Sequence, residues 1–287
     1  MKKLCLVLAM ALLVAGCKKK EALAPVRVYV DDFTITQDDF PTREDPTGIG
    51  DYSGVKAITL AFYTAGGDEQ YKVTQLRADA STYTTFGSFN LALPMGSYTM
   101  VVLGYGLNEG EPAITLTSPT EATFGEYPAR ETFVATQAVN LTNTTAVEIS
   151  ATLSRVVSKL KVHSTDGCTA NAVNVRTTFS AGGKAFNPTT GLATTNSGFS
   201  NVLPIQSSLG NSTNSISYLF LDTDEQSMTV TIDVLDGSGE SISHKVVNNV
   251  PLQRNRLTTL TGSIYSAGAG TDFTVNTNWL TETEVPF

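Results

Sequence analysis

Few side chains in this 287-residue chain are of a type and spacing that could do chemistry. They are three cysteines (Cys5, Cys17 and Cys168), two histidines and some short acidic clusters. His163 alternates with Lys159 and Lys161, which puts it on the polar face of its segment. His244 shares a face with Ile242 and Val246 and is expected to be partly covered, with no acid and nucleophile patterned around it. Two histidines supply neither a His-based metal site nor a catalytic triad with its partners. A calcium loop places carboxylates at alternate positions and closes on a Gly turn and a bidentate Glu. Asp222-Thr223-Asp224-Glu225 holds only a fragment of that pattern, and Asp31-Asp32 and Asp38-Asp39 hold less. Ala65-Gly66-Gly67-Asp68 and Ala181-Gly182-Gly183-Lys184 lack the spacing of a phosphate loop and read as turns. The reading is therefore of no catalytic site, no metal and no cofactor.

Cys17 is different because of what precedes it. Met1-Lys2-Lys3 opens a charged region, an apolar run follows over 4–14, and Leu13-Val14-Ala15-Gly16 leads into the thiol. Charged start, short apolar run and small residues at the end are the parts of a secretory signal. The run is shorter than the roughly 20 residues that a spanning helix needs. Its end resembles the bacterial lipobox, which implies cleavage before Cys17 and acylation of its thiol. Residues 1–16 are expected to be a signal peptide and 17–25 a lipidated tether that includes Lys18-Lys19-Lys20. With Cys5 removed and Cys17 acylated, Cys168 has no partner for an internal disulfide, so the core alone must hold the fold. Removal of Lys2 and Lys3 leaves 17 basic against 27 acidic residues, a net charge of −10. A chain this acidic lacks the basic footprint of a nucleic-acid binder.

The elements that must position these residues read as strands. Apolar and polar residues alternate at period two from Val26 onward. Met228, Val230, Ile232 and Val234 interleave with Thr229, Thr231 and Asp233, and Asp236-Gly237-Ser238-Gly239 follows as a hairpin turn. The expected strands cover 26–36, 55–64, 71–77, 86–93, 97–104, 131–139, 146–153, 156–163, 172–179, 216–221, 228–234, 242–250, 257–265 and 273–279. Many short strands with frequent turn signals predict an all-β chain of antiparallel sandwiches. Its length suits two domains, placed at 26–154 and 155–287. The stretch 181–214 is polar and reads as extended loops, and no short internal repeat stands out.

Four stretches together resemble the Bacteroidetes fimbrillin superfamily, in particular its FimB/Mfa-type lipoprotein subunits. They are the leader ending in Cys17; Phe40-Pro41-Thr42-Arg43-Glu44 followed by Val55-Lys56-Ala57-Ile58-Thr59-Leu60-Ala61-Phe62-Tyr63; Leu153-Ser154-Arg155-Val156-Val157; and Val250-Pro251-Leu252-Gln253-Arg254-Asn255-Arg256, closing with Phe273, Val275 and Trp279. The resemblance implies two tandem transthyretin-like β-sandwich domains and a non-enzymatic role in fimbriae and cell adhesion. It also implies an outer-membrane lipoprotein whose partners are other fimbrial subunits. In polymerising members an Arg-specific protease removes the N-terminal strand, and a strand of the next subunit takes its place. Arg43, in a loop rich in Pro, Asp and Gly, is the matching candidate here, and Arg27, inside the first strand, is a weaker one. The lysines after Cys17 depart from the acidic residues common after the Cys of surface-exported lipoproteins. A second reading of the same leader and sandwiches is a glycan-binding surface lipoprotein of a polysaccharide-uptake system. The single Trp of the chain argues against it.

Overall fold

The computed structural model describes residues 22–34, 48–266 and 273–277, with side chains omitted at 31–34. In chain order the first half holds β1 (Leu23–Thr34), β2 (Ala57–Thr64), β3 (Glu69–Leu76), β4 (Ser88–Pro94), β5 (Gly96–Tyr105), β6 (Thr115–Ser118), β7 (Glu121–Thr123), β8 (Thr132–Leu141) and β9 (Val147–Arg155). The second half holds β10 (Ser158–Ser164), β11 (Asn174–Phe179), β12 (Ala185–Asn187), β13 (Leu192–Ala193), β14 (Phe199–Pro204), β15 (Asn214–Leu219), β16 (Glu225–Leu235), β17 (Ser241–Gln253), β18 (Leu257–Gly262) and β19 (Thr274–Asn276). Within the described residues, each segment expected as a strand contains one. The stretch 181–214 is not only loop, since it carries β12, β13 and β14.

The first half is one sheet in the order β3-β2-β5-β8-β9-β1-β4, folded over at the narrow β8–β9 contact into two facing leaves. Val26, Val28 and Val30 of β1, Ile58, Leu60 and Phe62 of β2, Met100 and Val102 of β5, and Ile149 and Leu153 of β9 fill the space between the leaves. In the second half β15-β10-β18-β19 faces β14-β11-β16-β17, over a core that includes Leu160, Val162, Phe179, Val230, Ile232 and Leu260. These pairings repeat. β1 runs antiparallel to β4 and parallel to β9, and β10 does the same with β15 and β18. β3-β2-β5-β8 likewise matches β14-β11-β16-β17. The fold is thus a duplicated sandwich, antiparallel apart from one parallel pair in each copy. The duplication escapes inspection of the sequence because a strand constrains only which face is apolar, not which residue is used.

A fourth sheet, β13-β12-β7-β6, crosses between the halves, with Phe186 of β12 paired to Ala122 of β7. It covers a third core where Phe186 and Phe220 stack at 4.1 Å and Phe124 stacks on Phe220 at 6.4 Å. Ala57, Ala61 and Tyr63 point from the outer face of β2 into this core, so β2 is covered on both faces. Arg155 is buried at the same junction. It pairs with Glu131 at 2.8 Å, lies 4.9 Å from the centre of the Phe133 ring, and donates to Asn255 of the second half at 3.2 Å.

At the far end of the second half, Asp166 organises the turn that follows β18. Its carboxylate accepts the backbone N–H groups of Ile264, Tyr265 and Ser266, each at 2.9 Å, and the hydroxyls of Ser263 and Ser266. Burial alone would raise its pKa, but these hydrogen bonds outweigh it and hold the carboxyl below the usual range. A carboxyl with a depressed folded-state pKa adds stability above its unfolded value, near 3.9, and loses it as pH falls through the folded value.

Two outcomes are expected. Phe186→Ala removes a fully buried ring and costs about 3–5 kcal/mol. Urea unfolding of the wild type, followed by fluorescence and circular dichroism together, shows a single transition across both halves. Asp166→Asn lowers the thermal midpoint at pH 7, and its deficit against wild type shrinks as the pH is taken below about 4.

Candidate functional site: the N-terminal strand in its groove

β1 does not lie at a sheet edge. It pairs with β4 from Leu23↔Pro94 to Tyr29↔Ser88 on one side and with β9 from Val26↔Val147 to Thr34↔Ser154 on the other. Its period-two pattern places Ala24, Val26, Val28 and Val30 inward, each at most 3% exposed, while Leu23, Pro25 and Arg27 face solvent. Val28 sits level with Phe89 of β4 and Ile149 of β9. At the end of the groove the Val30 N–H donates to the Gly87 carbonyl at 2.9 Å, and buried Ile49 closes over the strand. Gly87 has a φ of +88°, and a Cβ there would lie 2.9 Å from Ile49 Cγ2 and 3.2 Å from the Val30 carbonyl oxygen. The close approach of strand and loop therefore depends on glycine.

Magnitudes show what β1 contributes. Burying a valine side chain is worth about 1.5–3 kcal/mol, so the three inward valines together approach the whole 5–15 kcal/mol margin of an ordinary domain. Without β1, the facing edges of β4 and β9 would also present unpaired main-chain groups beside an apolar trough. Its counterpart β10 occupies the same position in the second half, but is joined to β9 through Val156 and Val157. Of the two, β1 is the one not joined directly to a preceding strand among the described residues.

Arg27 is exposed and pairs with Glu148 at 3.3 Å, within hydrogen-bonded sheet on both sides. That placement shields it from proteolysis, which favours unpaired backbone. Cys17, Arg43, Asp38, Asp39 and Trp279 lie outside the described residues.

The remaining candidates resolve into structural roles. The His163 Nδ1 is 2.9 Å from Asn214 Oδ1 on the neighbouring strand. His244 does have an acid beside it, contrary to the sequence reading. Its Nδ1 lies 2.6 Å from Asp233 Oδ1, and Arg176 reaches the other carboxylate oxygen at 3.0 Å. The two residues come from different strands, which is why local spacing did not reveal the pair. Burial raises the pKa of Asp233, but the bonds from His244 and Arg176 hold it below the usual range. The adjacent Ser241 hydroxyl donates to Asp233 rather than to His244, so the row is a cross-strand charge ladder and not a nucleophile–base relay. Asp222 accepts from Asn196 and Asp224 pairs with Arg254 at 2.7 Å, so both serve loop structure. Among the described residues no group of three or more His, Cys, Asp or Glu could hold a metal ion. Cys168 is buried, and its thiol donates to the Thr169 carbonyl at 3.6 Å. The Asp166 cradle gave no sequence signal, since its partners lie about 100 residues away.

The fold defines a duplicated β-sandwich protein whose first sandwich is completed by its own N-terminal strand. Solved structures share the architecture. One described as an adhesin from Bacteroides ovatus is 10% identical, covering 83% of this chain and 89% of that one, with a TM-score of 0.52. Another adhesin, from Bacteroides thetaiotaomicron VPI-5482, is 10% identical over 90% and 97%, with a TM-score of 0.50. The fimbrial anchor protein Mfa2 from Porphyromonas gingivalis aligns at 14% identity over 83% and 90%, with a TM-score of 0.48. At such identity the two adhesins speak for the fold alone, and in the fold the resemblance drawn from the sequence is met. Residues 40–286 match the family of unknown function DUF6562, and the chain belongs to that family. No curated protein matches the sequence.

The site yields a graded expectation. Val28→Asp places a charge in the trough and costs at least about 3 kcal/mol, whereas Arg27→Ala, which loses an exposed ion pair, changes stability by less than about 1 kcal/mol. Denaturant midpoints of the two variants measure the contrast.

Proposed function

We propose that this protein is a non-enzymatic fimbrial subunit or anchor. In this reading it is carried to the outer membrane as a lipoprotein acylated at Cys17 and contributes to cell adhesion at the surface. Its partners are other fimbrial subunits, joined by strand addition. The observation that carries the reading is the position of β1, an N-terminal strand paired on both sides by β4 and β9 with its apolar face buried. An extended segment of another subunit with alternate apolar residues meets the same requirements, because main-chain hydrogen bonds supply affinity and side-chain pockets fix register. The fold shared with the Bacteroides adhesins supports the assignment to attachment rather than catalysis. Residues 26–154 and 155–287 act as its two domains.

Arg43 is the proposed processing position. It is the sole Arg or Lys between Val28 and Val55, so an Arg-specific protease has one target between β1 and β2. The test is to incubate the purified chain with such a protease and follow it by intact mass and size exclusion. A cut after Arg43, with departure of the N-terminal fragment and growth of a ladder of oligomers, is the behaviour of a polymerising subunit. An uncut monomer is that of an anchor. A chain cut at Arg43 that loses β1 and stays a stable, folded monomer would count against strand addition altogether.

A further inference from the structure

A second groove lies on the first sandwich, away from β1's trough. β3 and β4 are the two outer strands of the sheet, each paired on one side only. Between them opens a cleft of about 470 Å³ whose wall is completed by the 77–87 connection. Every residue lining it is uncharged, and only Val73 and Phe89 are wholly apolar. Two other clefts carry charge: Glu225 in one, and Lys56, Arg77, Glu109 and Glu111 in the other.

The cleft is framed by contacts made in and behind its wall. Arg77 donates to the carbonyls of Val55, Ile49, Gly50 and Tyr52 at 2.7–3.1 Å, and its guanidinium lies 4.2 Å over the Phe86 ring. Phe86 packs on Tyr83 at 5.7 Å, and the Tyr83 hydroxyl donates to the Leu76 carbonyl at 3.2 Å. The Gln75 side chain clamps the two edges, donating to the Ser88 carbonyl and accepting the Gly87 N–H, both at 2.8 Å. The side chains of Thr84, Thr85, Ser88 and Asn90 form no hydrogen bond with other described residues, so their donors and acceptors are available to a ligand.

We propose that this cleft binds a neutral oligosaccharide. Tyr71 and Tyr83 offer amphipathic ring surface for the apolar faces of sugar rings. The Thr, Ser and Asn groups each donate and accept, as sugar hydroxyls do. A rigid frame reduces the ordering cost of binding. An anionic ligand would find no cation in the lining, and the chain's formal charge of −8 opposes it further. An extended peptide added to the edge of β3 or β4 would need apolar pockets at alternate positions to fix its register, which this lining does not offer. The site belongs to the intact chain and does not require exchange of β1, so its failure leaves the fimbrial reading standing.

The test is calorimetric titration of the intact protein with maltohexaose, cellohexaose and mannohexaose, and with an oligogalacturonate as an acidic comparison. At least one neutral hexamer is expected to bind. Its affinity should fall by about fivefold or more in both Tyr71→Ala and Asn90→Ala, and stay unchanged in Leu209→Ala on the second half. Because Tyr71 packs against the first core, exposed Asn90 is the variant that tests the cleft without touching the fold. Binding should be insensitive to salt up to about 0.5 M, as expected without ion pairing. The proposal is overturned if no neutral hexamer binds, if affinity survives Asn90→Ala, if the acidic oligomer binds better, or if a synthetic peptide of residues 278–287 displaces the sugar.

Discussion

The structure depends on one constraint: the first sandwich is complete only while an apolar strand fills the trough between β4 and β9. Val26, Val28 and Val30 supply the apolar face, and the flanking strands supply hydrogen-bonding partners on both sides. Neither contribution needs the strand to be continuous with β2. The burial that makes β1 indispensable is therefore the same burial that a strand from another chain could provide. In the duplicated half the equivalent strand, β10, follows directly from β9 and is bound into the polypeptide. The two copies share pairing but differ in how their key strand enters, and that difference gives the molecule a direction.

The halves are also coupled. β6 and β7 are inserted between β5 and β8, and β12 and β13 between β11 and β14, and these two insertions pair with each other. The aromatic stack of Phe124, Phe220 and Phe186 lies beneath them, and Arg155 carries the ion pair to Glu131 across to Asn255. Such a junction fixes the halves together, where a lone flexible linker would leave them free to separate.

Much of this was legible in the sequence, and the residues show why. Alternation in Met228 to Val234 marks a strand with one covered face, and the Asp236-Gly237-Ser238-Gly239 turn appears as expected, with Asp236 accepting from the Ser238 and Glu240 N–H groups. The run Ala57-Ile58-Thr59-Leu60-Ala61-Phe62-Tyr63 does not alternate, and that lapse is itself informative: β2 is buried on both faces. It could have announced the interface between the halves. The short strands of the bridging sheet, two to four residues each, carry too little pattern to register. Contacts assembled from distant segments left no local trace either, as with Asp166 and residues 263–266, Asp233 with His244, or the wall of the neutral cleft.

Under the proposed function, the first sandwich needs a strand but not this particular covalent connection to it. This is tested most directly by producing residues 44–287 alone and adding a synthetic peptide of residues 22–36 in trans, following thermal midpoint and size together. The expected result is a destabilised, self-associating chain that the peptide returns to a stable monomer in one-to-one stoichiometry. A chain of 44–287 that folds as a stable monomer and ignores the peptide would contradict it.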